Sequence, residues 1–284
     1  MGMRRIDGSC FFAAIFFVVS GIFRTILFGR RHGSHSETNF GLMKALDGEY
    51  IRNQWEDIDG VLHSLRIIQG ILHILAWIIT ATVLFRAAWL QSSRGTHSMG
   101  LHCSVAFLGA TIAIVELLVH MLTFGSMMAL QWMASDFTME NWYEIEGLGA
   151  DQQDLLGWKV LEVVSIAAHG MLLWVDTIEY FFLATVLILL FISTKGQASP
   201  LSTSWSCFGL GIAFFCILDV AAEVLRFNNW RLFSQICFWI STANRCILFP
   251  NWLMWLGVQL AQAPTAMKQE ISIAQMEGDA AGHD

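Results

Sequence analysis

The chain has 284 residues, of which 55% are apolar and only 14% charged, against about 25% charged in an ordinary soluble domain. Its mean hydropathy is +0.55, and Lys+Arg 16 against Asp+Glu 23 gives a net charge of −7. These values exclude a disordered chain, a collagen-like fibre and a disulfide-stapled secreted module, and they leave no basic face for nucleic acid. The class that remains is an all-α polytopic membrane protein, with the lipid bilayer as its first partner.

A helix needs about 20 apolar residues to span a hydrocarbon core of roughly 30 Å. Six stretches approach or exceed that length: 9–29, 60–91, 99–135, 157–194, 203–228 and 232–262. The runs are continuous, unlike the ~10 alternating residues of a barrel strand. The expected architecture is therefore a transmembrane bundle of about six helices, or five if the first is a cleaved signal. It begins with a short tail (1–8), a first helix or signal anchor (9–29) and a polar loop (30–59). A five-helix membrane bundle (60–262) and a polar, mildly acidic tail (263–284) complete it.

The first segment has two readings. Arg4 and Arg5 precede a run from Cys10 to Phe23 of signal-peptide length, and Val18-Val19-Ser20-Gly21 could be a cleavage site. The apolar run then resumes through Ile22, Ile26, Leu27 and Phe28 to spanning length, which favours a retained helix.

Lys and Arg in the short loops lean towards both termini in the cytoplasm, with Arg94 and Lys195 inside. The opposite loop, 136–157, has no Lys or Arg but carries Asp136, Glu140, Glu144, Glu146, Asp151 and Asp154. Nothing marks an organelle, so the plasma membrane or a secretory-pathway endomembrane is the expected location. Trp89 and Trp205 are expected at the inner boundary, and Trp132, Trp158 and Trp230 at the outer one. Trp77, Trp174 and Trp239 are expected to pack mid-helix. Six cysteines, none paired as C-x-x-C, read as buried thiols rather than a disulfide framework.

Ionisable residues inside apolar helices are costly, face the bundle interior and point to function. The second helix carries His63, Arg66, Gln69 and His73 on one face. The third carries Glu116 and His120 at i,i+4. The fourth carries Glu162, His169 and Asp176 as a stripe, then Glu179; the fifth carries Asp219 and Glu223; the last carries Asn244 and Arg245. Counted from the inner helix ends, His73 lies 18 residues away, Glu116 17, Asp176 18, Asp219 16 and Arg245 17. At 1.5 Å per residue all five fall roughly 24–27 Å up the bundle. His120, Glu179 and Glu223 fall within one turn of that level. Pro250 should free the carbonyl of Cys246 beside Arg245.

Such a layer supports three functions. Transport or conduction of a proton, ion or small solute would use His73, Glu116, His120, Asp176, Glu179, Asp219, Glu223 and Arg245. An intramembrane metal-dependent enzyme would draw ligands from His73, Glu116, His120, Asp176 and Glu179, the side-chain types that zinc and iron take. A non-catalytic accessory subunit would use the layer as structural ion pairs. It would dock membrane-protein partners or a second copy of the chain. The sequence identifies no cofactor.

Overall fold

The computed structural model describes residues 6–33, 61–92, 99–137, 177–195, 201–225 and 230–262. These residues are helical apart from the ends of the elements, and no strand occurs among them. The helices are α1 (Gly8–Gly33), α2 (Val61–Ser92), α3 (Met99–Phe137), α4 (Thr177–Thr194), α5 (Thr203–Leu225), α6 (Trp230–Ala243) and α7 (249–262). A π-helical segment, Asn244–Leu248, joins α6 to α7 without a break. Five helices, α1 to α5, are long and apolar enough to cross a membrane.

Hydrogen bonds between helix ends give an up-and-down arrangement. At one end, the Asp7 N–H donates to the Gly257 carbonyl at 3.1 Å, and Arg86 reaches Asp7 at 3.0 Å. Ser193 meets Gln91, Thr194 meets Ser206, and the Ser202 N–H donates to Gln259 at that same end. Ser20 on α1 and Gln69 on α2 pair towards the other end. The starts of α1 and α5 therefore lie beside the ends of α2, α4 and α7, and α3 runs antiparallel to α2, with Gly109 against Leu84 and His120 against Gly70.

The bundle is apolar on its surface as well as in its core. Phe12, Phe107, Leu122, Phe181, Phe214 and Trp239 stand exposed on outward faces, while Glu116, Glu179, Asp219 and Arg245 are buried. Water would penalise that surface, whereas hydrocarbon accepts it. A multi-pass membrane protein meets both conditions.

Small residues let the helices close. A Cβ on Gly209 would lie 2.8 Å from the Trp252 indole nitrogen, and one on Gly257 2.7 Å from the Cys10 Cβ. Trp205 and Trp252 stack with ring centroids 4.6 Å apart, and Trp205 is fully buried. Trp205 is therefore a core residue and not part of an interfacial belt, because α5 turns it towards α7 and not towards lipid. Trp239 departs in the opposite sense: it is 63% exposed rather than packed mid-helix, while Trp77 is buried as expected. All six cysteines are free; Cys10, Cys216 and Cys237 are buried as expected, whereas Cys103 and Cys207 are exposed on the outward faces of their helices and Cys246 is half-buried.

The first helix is part of this core. Cys10, Ala13, Ala14 and Phe17 are buried, and Phe17 sits edge-on to His73, Trp77 and Phe249. The loops 30–59 and 136–157 and the tail 263–284 lie outside the described residues, apart from the ends of α1 and α3.

Candidate functional site

The third helix brings Glu116 and His120 to one face, as the i,i+4 spacing requires. The Glu116 carboxylate divides its two oxygens between two imidazoles. Oε1 lies 3.2 Å from Nε2 of His73 on α2, and Oε2 lies 3.4 Å from Nε2 of His120. One carboxylate thus joins two histidines that are far apart in the sequence.

Gly70 makes this approach possible. It lies one turn before His73, and a Cβ there would stand 2.5 Å from Phe124 Cζ and 3.0 Å from His120 Nδ1. The bare backbone of α2 lets α3 come close enough for His120 and Phe124 to rest on it.

The π segment supplies the cation. Arg245 Nη2 lies 3.8 Å from Glu116 Oε1 and 3.3 Å from Glu179 Oε2, so one guanidinium serves carboxylates from α3 and α4. Its Nε–H donates to the Tyr180 hydroxyl at 2.9 Å. Tyr180 in turn meets Ser241 at 2.7 Å, and Arg24 of α1 donates to the same serine hydroxyl. A continuous polar chain therefore runs from Arg24 through Ser241, Tyr180 and Arg245 to Glu179, Glu116, His73 and His120. π-Bulges recur at functional sites because the extra residue redirects side chains within an otherwise regular helix. Here the segment ends two residues before Pro250, whose missing N–H removes one helical donor from the carbonyls a turn back.

His73 Nε2 meets conflicting demands. The Trp77 indole N–H donates to it at 3.3 Å, while the Glu116 oxygen at 3.2 Å can be bonded only if that nitrogen or that oxygen carries a proton. One ring nitrogen cannot accept from Trp77 and donate to Glu116 at once. The position of a single proton decides which bond forms.

The charge balance sharpens the point. Glu116, Glu179 and Asp219 are 1%, 1% and 4% exposed, and Arg245 is 9% exposed. Among the described residues, three buried carboxylates thus accompany one buried guanidinium. Half-buried Arg24 reaches the group only through Ser241 and Tyr180. Buried carboxylates are expensive unless paired, and protons and cations are their natural complements.

Of the eight residues expected at this level, the structure joins His73, Glu116, His120, Glu179 and Arg245 directly. Asp219 is buried nearby on α5, beside Cys237, whose thiol donates to its backbone carbonyl at 3.9 Å. Glu223 is only half-buried, near the C-terminal end of α5. Asp176 lies outside the described residues, as do Glu162 and His169. The stripe on α2 divides its work, with Gln69 turning to Ser20 of α1 and His73 to Glu116 of α3.

Tyr180, Ser241, Arg24, Trp77 and Gly70 are not found by counting charges. Arg24 carried a usable signal, as a basic residue in a spanning apolar run. Ser241 stands one turn before Arg245 on the same strip of helix. Gly70 had no signal, because its importance lies in what α3 places opposite it.

The chain matches no protein-family model, no curated protein and no solved structure.

Proposed function

We propose that this multi-pass membrane protein moves a proton or small cation, held in transit by the cluster around Glu116. The observation that carries the reading is the bridging of Glu116 and Glu179 by Arg245, with His73 and His120 on the two oxygens of Glu116. Intramembrane carboxylates and histidines in contact form the usual material of proton relays. The conflict at His73 Nε2 adds a proton position with two settings, which a purely static ion pair does not need. The buried carboxylates supply the attraction for a cationic cargo.

An apolar stretch separates this cluster from the opposite end of the bundle. Phe17, Trp77, Phe249 and Trp252 fill it, with ring centroids 5.1–5.4 Å apart between successive pairs. Beyond it lie Gln91, Ser193, Thr194 and Ser206. On this reading the aromatic layer is a closed barrier between two polar regions, and transport requires it to open.

The test is proton flux into liposomes containing the purified full chain, driven by an imposed membrane potential and read with an internal pH-sensitive dye. Flux above protein-free liposomes, reduced at least roughly tenfold by Glu116→Gln in a protein that still elutes as a single species, is the expected result. Absence of flux under any gradient of protons, sodium or potassium would make the cluster a structural ion-pair network and the chain an accessory subunit.

A further inference from the structure

A buried carboxylate flanked by two imidazoles can take up a proton or a metal ion, and the side chains favour a specific kind of ion. We infer that His73, Glu116 and His120 form a three-ligand site for a divalent transition metal of the zinc class. The inference rests on reading the cluster as functional, and it narrows the cation of that reading to a chemical class.

The geometry comes first. One ligand atom from each of the three residues lies within 4.8 Å of the other two. The two carboxylate–imidazole separations are 3.2 and 3.4 Å. Around a tetrahedral ion with bonds of about 2.0–2.1 Å, neighbouring ligand atoms stand about 3.3 Å apart. The two imidazoles meet edge to face, with ring centroids 5.7 Å apart, so neither ring stacks over the other. The two close separations involve different oxygens of Glu116, so a small turn of that carboxylate would gather one ligand atom from each residue around one ion.

The donor chemistry comes second. Two imidazoles and one carboxylate suit zinc or ferrous iron and suit calcium or magnesium poorly, since those ions take all-oxygen sets. Three protein ligands leave a coordination position open, as in catalytic rather than structural zinc sites. Arg245 and Glu179 stand beside Glu116 as an outer pair, with Arg245 drawing on Glu116 Oε1 from 3.8 Å. Of the three ligands His120 has the most open side chain, at 13% exposure against 1% for the other two.

Trp77 turns the inference into a directional test. Its indole N–H uses the same lone pair of His73 Nε2 that a metal would take. Binding must break that hydrogen bond, so Trp77 opposes the ion. Trp77→Phe keeps an aromatic ring between Phe17 and Phe249 and removes the competing donor. It is expected to tighten metal binding by up to roughly tenfold, the free energy of one hydrogen bond.

The experiment uses the purified full chain in detergent, stripped with a chelator and titrated with zinc, with cobalt as a spectroscopic substitute. Stoichiometric zinc uptake, visible d–d bands with cobalt, tighter binding by Trp77→Phe and a loss of roughly a hundredfold or more in His120→Gln are expected. A folded wild-type protein that takes up no more zinc than His120→Gln overturns the site. If the His120 variant does not fold, the wild-type cobalt spectrum decides alone, and absent d–d bands overturn it. Proton flux without metal uptake leaves the transport reading standing and removes this one; metal uptake without flux does the reverse.

Discussion

Arg245 Nη2 stands 3.3 Å from Glu179 Oε2, across 66 residues of chain, and the same nitrogen faces Glu116 at 3.8 Å. This guanidinium therefore fixes the π segment against α3 and α4 together. A buried pair of this kind adds little over a well-packed apolar substitute, but removing one partner strands the other in a medium that cannot solvate it.

Arg245→Met is accordingly expected to destabilise the protein by about 3–5 kcal/mol. Arg245→Lys should recover only part of that, since an ammonium cannot hold two carboxylates and Tyr180 in one planar fork. The double variant Arg245→Met/Glu179→Gln should cost less than the sum of the single changes. Thermal unfolding in detergent, compared across these variants, measures the coupling; strictly additive losses would show that the pair is not energetically joined.

Tyr180→Phe removes the hydroxyl that accepts from Arg245 and meets Ser241. A buried N–H of a charged group would lose its partner, with an expected cost of about 1–3 kcal/mol. Ser241→Ala leaves Tyr180 bonded to Arg245 and should cost less. Unfolding temperatures in that order, wild type highest and Tyr180→Phe lowest, would agree with a chain of bonds whose central link is the tyrosine.

Gly70→Ala places a methyl group against Phe124 and His120. Overpacking of a close helix contact costs about 1–3 kcal/mol, and here it also moves His120 away from Glu116. Shortening the opposing ring with Phe124→Leu should restore part of the stability. If Gly70→Ala unfolds at the wild-type temperature and retains full flux, α2 and α3 need no such contact.

The first helix is expected to remain in the mature protein. Its removal would take Cys10, Ala13, Ala14 and Phe17 out of the core and leave Gly257 facing empty space where it now meets Cys10. Intact-mass measurement of protein purified from membranes checks this. A mass that lacks the residues up to Gly21 would identify the segment as a cleaved signal.

The sequence by itself determined that the chain is helical and that its helices can cross a bilayer, because hydrophobic length and continuity are local properties. It also placed His73, Glu116, His120, Glu179 and Arg245 at one level, since rise per residue converts position into depth once the helix ends are known. Rotation about each axis was beyond it. Two helices at the same height can turn a charged residue towards each other or away, and packing decides which. Trp205 turned inward onto Trp252 and Trp239 outward for that reason. The tertiary structure alone decided that one carboxylate would be shared by two histidines, that Arg245 would bridge α3 and α4, and that Gly70 would open the space for His120. Each of these depends on side chains from separate helices meeting within a few ångströms, and no spacing along one chain encodes the distance between two helix faces.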